Sequence, residues 1–352
     1  MIRSTRPRHL AAPLWARLVL SAGFAAVPVV TSAQIAYTPT YYAGTIALNV
    51  PTAAATTTCT NLPATAPTTP LTLKRTFFDG FDTLDQTQTP NRRWAPNYDG
   101  GYDTPTSTFL GYDWVVKRYQ PTMSEQQIYV DSLYKGLAPT ALGVNPFVVE
   151  NGTLHIVAQR TPDNLKKVLS GFEYTSGLLT TRQSFSQRYG YFEARIKVPN
   201  GKPLLPAFWM KATNRFLAVE LDVMEAPTHL PDVIQQSVHW SGVNGAAASS
   251  GCRTTYPKFS EDFHQYGALW MPDKIVYYID RLPVGQIVTP PGMNQPMFMQ
   301  LNLAVGGIWT GVATASTVMP AEMLVDAVAA YTVDGPNACG KQTDGTLMCP
   351  AK

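Results

Sequence analysis

Three carboxylates stand close together in the hexapeptide ELDVME, which runs from Glu220 to Glu225 and includes Asp222. Residues two apart in a β-strand share a face, so Glu220 and Asp222 point the same way. Crowded carboxylates repel when all are ionised, which raises the pKa of at least one of them. Cleavage of a glycosidic bond needs one protonated carboxyl and one ionised carboxylate side by side. The hexapeptide therefore predicts a catalytic centre of that type.

Strict alternation would turn Glu225 into the core with Leu221 and Val223, where an unpaired carboxylate is costly. One extra residue near Val223–Met224, a β-bulge, would return Glu225 to the face of Glu220. A bulged strand favours a short separation of about 5–5.5 Å, the spacing that retains anomeric configuration. Spacing alone leaves two alternatives open, a calcium site and acidic side chains merely exposed on a sheet.

The segments around the hexapeptide alternate in the manner of strands. Phe192, Ala194 and Ile196 alternate with charged residues, and similar patterns run through 153–158 and 274–280. Residues 320–331 contain many helix formers but also alternate, so a strand is predicted there. Few segments show a helical period. The sequence therefore predicts an all-β protein, an antiparallel sandwich or jelly roll, over residues 71–335.

One further strand is predicted over residues 297–305. Its apolar side chains lie on one face, while Gln300 and Asn302 lie on the other. Large apolar side chains suit the core of a sandwich. Amides on the opposite face suit a sheet surface that touches a hydrophilic ligand, so both amides are candidate substrate-binding residues.

The composition restricts the kinds of binding partner that can be expected. Charged residues make up only 14% of the chain against 45% apolar residues, and the net charge is +3. So small a charge does not predict binding to nucleic acid or to an anionic membrane. Low charge with many Thr, Pro and Gly residues is typical of an extracellular β-rich protein.

The first 33 residues have the form of a secretory signal. Arginines precede an apolar stretch, and small residues end at Ala33, after which cleavage is predicted. An uncleaved membrane anchor is the alternative. Residues 34–70, rich in Thr, Ala and Pro, are predicted to be a linker or surface arm, and residues 336–352 a cysteine-containing tail. We expect a secreted or periplasmic protein.

The cysteines fit an exported protein. The chain has four, which allow up to two disulfides in three pairings, and spacing cannot choose among them. A local bridge across the turn between the last two is slightly favoured. Zinc is not predicted, because no CxxC pair occurs. The cysteines are Cys59, Cys252, Cys339 and Cys349.

Several segments resemble glycoside hydrolase family 16, the laminarinase and lichenase family. Besides the hexapeptide, they include YGYFEAR (189–195), PAFWM (206–210), SVHW (237–240) and LNLAVGG (301–307), in the family's order. The likeness covers residues 75–333. It implies a jelly roll of two curved antiparallel sheets with the polysaccharide lying across the concave one.

The resemblance also implies roles for individual residues. Glu220 resembles the nucleophile, Glu225 the acid/base, and Asp222 the residue that tunes both. Trp209, Trp240 and His239 are candidate sugar-binding residues, whereas His155 and His264 are expected to be structural. Catalysis would need no cofactor. Many members bind a structural calcium ion through backbone oxygens and an aspartate that matches Asp326.

The leading hypothesis is a retaining endo-β-glycanase, monomeric, acting on β-1,3- or mixed-linkage glucan or on a related bacterial exopolysaccharide. A transglycosylase using the same carboxylates is one alternative, and a non-catalytic glycan-binding module is another. The segment 203–206 lacks a tryptophan that the family often has before PAFWM, so one of the family's sugar-stacking side chains is not expected here.

Overall fold

The computed structural model describes residues 45–48, 56–59, 71–85, 92–98, 115–214, 217–242, 245–333, 340–341 and 347–348. Contacts group residues 42–352 into one unit, which contains every described element, and residues 1–41 into another. The predicted signal, 1–33, lies outside the described residues, as do Cys339 and Cys349. No helix among the described residues is long and apolar enough to cross a membrane.

Nearly all regular structure in the described ranges is strand. The strands are β1 (Thr45–Leu48), β2 (Thr56–Cys59), β3 (Leu71–Asp79), β4 (Gln127–Tyr129), β5 (Phe147–Glu150), β6 (Thr153–Arg160), β7 (Tyr174–Ser176), β8 (Leu178–Thr180), β9 (Gly190–Lys197), β10 (Leu204–Ala212), β11 (Glu220–Glu225), β12 (Val233–Ser241), β13 (Ala247–Thr255), β14 (His264–Trp270), β15 (Lys274–Ile279), β16 (Leu282–Val288), β17 (Met297–Val305), β18 (Ala321–Val333), β19 (Gly340–Lys341) and β20 (Leu347–Met348). The helix α1 spans Asp163–Lys166, and 3-10 turns span Val115–Lys117 and Pro121–Met123.

Strands β19 and β20 pair in a separate two-stranded sheet, and all the other strands form two large sheets. One has seven strands in the order β2-β13-β12-β11-β10-β17-β8. The other has eleven, with a main path β16-β15-β14-β9-β18-β6-β7-β4, to which β3 joins at β18, β1 at β3 and β5 at β6. The pairings between described strands are antiparallel except for β4 with β7. The predicted antiparallel sandwich of the jelly-roll class is confirmed.

Turn chemistry explains where strands begin and end. Asn151 and Gly152 join β5 to β6 with φ of 51° and 72°, and Asp280 and Arg281 join β15 to β16 with φ of 52° and 60°. Two consecutive positive φ values are what a two-residue hairpin needs, because that twist matches the flanking strands. Predicted strands at 153–158, 274–280, 297–305 and 320–331 are confirmed.

The core lies between the two large sheets. From β17, alternate apolar side chains enter it, as the parity of the sequence predicts, and β9, β10, β11 and β18 contribute similarly. Burial of this apolar surface, at roughly 25 cal/mol per Å², is the main stabilising contribution. The inner face of the seven-stranded sheet is therefore fixed, and its other face is left for function. The β17 core residues are Met297, Met299, Leu301, Leu303 and Val305.

Two pieces of the interval 34–70 are strands of these sheets. Strand β1 pairs with β3 in the eleven-stranded sheet. Strand β2 pairs with β13 in the seven-stranded sheet, where a disulfide joins Cys59 to Cys252. This bridge leaves Cys339 with Cys349 as the one remaining intrachain pairing among the four cysteines.

Candidate active site

The hexapeptide ELDVME is the central strand β11, and it is bulged. Asp222 lies opposite Ser237 and Glu225 opposite Gln235, so β11 advances three residues where β12 advances two. Val223 is the extra residue. Both Val223 and Met224 are fully buried in the core. The predicted bulge is confirmed, and it places Glu225 on the face of Glu220 and Asp222.

That face lines a cleft, a cavity of about 930 Å³ on the outer side of the seven-stranded sheet. The three carboxylates all border it. Carboxylate oxygens of Glu220 and Asp222 and a ring nitrogen of His239 lie within 4.8 Å of one another. The structure thus brings together the three residues that the sequence predicts as catalytic.

Burial and mutual repulsion raise the pKa of both glutamates. For Glu220 burial comes first and the charge of Asp222 second, and together they raise its pKa to about 7. Burial, then the charges of Asp222 and Glu220, raise the pKa of Glu225 well above its usual range. Among the described residues, Lys211 and His239 oppose the rise in pKa at Glu220, and no cation does so at Glu225. Glu225 therefore keeps its proton more firmly than Glu220 does.

Asp222 is held by the neighbouring strand. It is almost fully buried, and its Oδ2 accepts a hydrogen bond of 2.8 Å from the Ser237 hydroxyl. The Nε2 atom of His239 lies 3.3 Å from the same oxygen. The hydrogen bond with Asp222 raises the pKa of His239, although burial opposes it. A carboxylate with two such partners has a fixed orientation between the glutamates.

Trp209 lies on the opposite side of the catalytic strand. It sits on β10 directly across from Asp222 and is 6% exposed. Its Nε1–H donates to Asn302 Oδ1 at 2.7 Å, and the Asn302 amide donates to the Tyr129 hydroxyl at 3.0 Å. Both Trp209 and Asn302 border the cleft, as predicted. The hydrogen bonds hold the indole in one orientation.

Three residues at the site were missed by sequence reasoning. Lys211 Nζ lies 3.5 Å from Glu220 Oε2. It shares strand parity with Trp209, a signal that could have found it. Tyr98 and Trp309 border the cleft, and the Tyr98 ring packs edge-on against Trp209 at 6.2 Å. Tyr98 lies too far away in sequence for any local pattern to reveal it.

A fourth missed residue, Glu125, is a further carboxylate of the cleft. Its Oε2 accepts hydrogen bonds from the backbone N–H of Gln120 at 2.9 Å and the amide of Gln127 at 2.7 Å. Burial raises the pKa of Glu125 to about 7, although both hydrogen bonds oppose the rise. The cleft therefore holds a third carboxyl with a raised pKa, on a segment separate from β11.

Two predicted substrate-binding residues do not reach the cleft. Trp240 follows His239 on β12, so alternation turns it away from His239, and it packs against the core. Gln300 lies on the predicted face, opposite Trp209, but is fully buried there and does not border the cleft. Its amide atoms have no hydrogen-bond partner among the described residues. The position of a residue along a strand predicts which face of the sheet its side chain lies on. It does not predict whether other residues cover that side chain.

The surroundings of three other residues are those of structural groups. His155 pairs with Glu322 at 2.9 Å and His264 with Asp280 at 2.7 Å, both away from the cleft. Asp326 pairs with Arg195 at 3.3 Å. Within the described ranges, Asp326 belongs to no group of three side chains that could hold a metal. Calcium takes six to eight oxygen ligands, so an ion here would need backbone oxygens beside the Asp326 carboxylate, and this site stays a prediction.

Comparisons with known proteins agree with this fold and site. The family model of glycosyl hydrolases family 16 matches residues 142–325. The endo-1,3-1,4-beta-glycanase EglC of Rhizobium meliloti (strain 1021) is 37% identical over 264 residues, which is 74% of this chain and 52% of the relative. A second glycanase of that strain, ExsH, is 34% identical over 270 residues, again 74% and 52%. The chain spans about half the length of these curated relatives.

A solved structure gives the same result. The endo-beta-1,3-glucanase of Pyrococcus furiosus superposes with a TM-score of 0.54 at 27% identity, over 78% of this chain and 98% of that one. A two-sheet sandwich with a bulged carboxylate strand on its outer face defines a class of polysaccharide-cleaving enzymes. The chain belongs to family 16 of the glycosyl hydrolases.

Proposed function

We propose that the protein is an endo-acting β-glucan hydrolase that retains anomeric configuration. The observation that carries the proposal is the bulged strand β11, which puts Glu220, Asp222 and Glu225 on one face of the cleft. The names of the relatives, endo-1,3-1,4-beta-glycanases and an endo-beta-1,3-glucanase, support a β-1,3- or mixed-linkage glucan as substrate.

The difference between the two glutamates assigns their roles. Glu220, with Lys211 and His239 beside it, ionises first and acts as nucleophile. Its oxygen forms a bond to the anomeric carbon while Glu225 protonates the departing glycosidic oxygen, and the old C–O bond breaks. Glu225, now ionised, takes a proton from water. The water oxygen then bonds to the anomeric carbon, and Glu220 leaves as a carboxylate.

Asp222 acts between these steps. Its negative charge raises the pKa of both glutamates, and so helps to keep a proton on Glu225 at neutral pH. Its hydrogen bond from Ser237 and its contact with His239 keep it in place. The disulfide between Cys59 and Cys252 supports an oxidising location outside the cytoplasm. We propose a secreted or periplasmic monomer.

The test replaces each glutamate by its isostere. Glu220→Gln and Glu225→Gln should each lower kcat at least about 10³-fold on laminarin and lichenan while leaving glucan binding close to normal and Tm no lower than in the wild type. Glu322→Gln is a matched control, because Glu322 is exposed and away from the cleft. Full activity in either cleft variant would overturn the proposal.

Retention is tested on the first product. Proton NMR of a mixed-linkage oligosaccharide digest should show the β anomer first, with the α anomer appearing only by mutarotation. An α anomer formed first would contradict the nucleophile assigned to Glu220. Reducing-sugar release from laminarin, lichenan, agarose and carrageenan identifies the preferred backbone.

A further inference from the structure

One edge of the seven-stranded sheet is built by a segment far away in sequence. Strand β2 is the outermost strand and pairs with β13, which places Thr58 opposite Arg253 and Cys59 opposite Cys252. Thr58 and Arg253 both border the cleft. The N-terminal part of the chain thus supplies a wall of the same cavity that holds the catalytic carboxylates.

The register of the strands aligns this wall with the acid/base. Glu225 faces Gln235, Gln235 faces Arg253, and Arg253 faces Thr58. Residues directly opposite in antiparallel strands project to the same side. With about 4.8 Å between neighbouring strands, Arg253 lies roughly 10 Å and Thr58 roughly 14 Å from Glu225 along the sheet. This row is a straight polar track that leads away from the catalytic centre.

Arg253 is an exposed cation within this track. The part of the chain that the structure describes gives its guanidinium neither a hydrogen bond nor an ion pair. The described residues that border the cleft include four carboxyl groups, and Arg253 is the one Lys or Arg side chain among them. A guanidinium presents a rigid fork of donors, which matches a pair of oxygen acceptors. The neighbouring residues that border the cleft are small and leave room for a ligand, namely Ser249, Ser250 and Gly251.

The disulfide fastens the edge strand. Strand β2 has only four residues, and so short an edge strand has few ladder hydrogen bonds to hold it. Cys252 is fully buried, and the bridge closes a separation of 193 residues. Gly285 of β16 lies so close that a β-carbon there would come within 2.6 Å of the Cys252 sulfur. The bridge is thus packed into the fold directly beside Thr58.

We propose that Thr58 and Arg253 form a sugar-binding subsite at the β2 end of the cleft, and that the Cys59–Cys252 bridge positions it. The ligand is a glycan unit that offers two oxygens close together to the guanidinium, either two hydroxyls, such as the 4- and 6-hydroxyls of one unit, or the two oxygens of a carboxylate substituent. The inference rests on the proposed glycan hydrolase, since it extends the cleft by one subsite. Strand β2 is then a determinant of affinity for long glycan chains.

The first test separates binding from chemistry. Arg253→Gln should raise KM about tenfold on a long β-1,3-glucan and Thr58→Val about threefold, both with kcat unchanged. The shortest oligosaccharide that the wild type cleaves should be unaffected. Lys258→Gln removes an exposed cation outside the cleft, and Thr255→Val changes the same face of β13 beyond it. Both controls should behave as wild type.

A carboxymethylated glucan distinguishes the two ligand groups. A raised KM of Arg253→Gln on the neutral glucan assigns a pair of hydroxyls as the ligand group, and a raised KM confined to the carboxymethylated glucan assigns an acidic substituent. An unchanged KM on both glucans overturns the subsite.

The second test concerns the bridge. The double variant Cys59→Ala/Cys252→Ala should show the raised KM of Thr58→Val, and adding Thr58→Val to it should cause no further change. If the double variant fails to fold, the Arg253 and Thr58 variants still decide the matter. If the wild type degrades glucan and the Arg253 and Thr58 variants have the same KM as the wild type, the subsite is rejected and the proposed hydrolase is not. A protein that neither degrades nor retains glucan in affinity electrophoresis rejects the proposed hydrolase too.

Discussion

The catalytic strand separates two unlike halves of the cleft. On one side, β10, β17 and the segment that includes β4 form a buried flank in which Trp209, Asn302 and Tyr129 are joined by hydrogen bonds. On the other side, β12, β13 and β2 form an open flank, where the side chain of His239 is 51% exposed. The buried flank contains a raised-pKa carboxyl, Glu125, and the open flank a cation, Arg253.

The two flanks of the cleft are suited to different roles in substrate binding. Buried hydrogen-bonded aromatic groups have one orientation, which suits exact placement of a sugar ring next to the reacting bond. Exposed side chains on an edge strand keep their freedom and contribute mainly to affinity. Changes in the buried flank should therefore affect folding and kcat together, and changes in the open flank should affect KM or pH dependence with little effect on folding.

The largest expected effect follows from Trp209→Ala on the buried flank. Loss of the indole removes buried apolar area and leaves Asn302 without its donor, so the free energy of unfolding should fall by about 3–5 kcal/mol. Urea denaturation measures this fall. Reducing-sugar release should show kcat lower as well.

Trp209→Phe is the matched control for that change, because it keeps one aromatic ring while removing the N–H donor and the rest of the indole. Its cost should be about 1–3 kcal/mol. A Trp209→Ala protein as stable as the wild type would show that the two flanks do not differ in rigidity.

Sequence reasoning succeeded where the cause is local. Alternation gave the bounds of β17, and the spacing of Glu220, Asp222 and Glu225 predicted a bulge, since a carboxylate cannot be buried unpaired. His239 and Asn302 border the cleft because parity fixes their face.

The same reasoning failed where the cause is distant. Tyr129 bonds Asn302 across 173 residues, and Thr58 reaches the cleft from an interval predicted as a linker or arm. Gln300 is on the predicted face but fully buried there. Trp240 is a different kind of failure, because its parity next to His239 already pointed to the core. Contacts between distant segments leave no periodic trace in the chain.

A second, intermediate effect concerns the pH dependence of stability through Glu125. Its folded pKa is raised from 4.5 to about 7, so the folded state binds the proton more tightly than the unfolded state. The contribution of Glu125 to the stability of the wild type therefore falls as pH rises from about 4.5 to 7. Glu125→Gln lacks this fall, and should exceed the wild type by about 1–3 kcal/mol at pH 8 and match it at pH 4. Thermal denaturation across this range measures the difference between the two proteins.

The smallest expected effect comes from His239 in the open flank. Replacing His239 should lower stability, whereas Glu125→Gln should raise it. The hydrogen bond with Asp222 raises the folded pKa of His239 above its usual 6.5, so its protonated form stabilises the protein below that pH. This contribution is lost as pH rises through the raised pKa. His239→Gln should lower stability by no more than about 0.5 kcal/mol at pH 5, since the ring is half exposed, and by nothing at pH 9. An equal loss at both pH values would mean that His239 acts through packing, and the contrast between a flexible and a rigid flank would then fail at this residue.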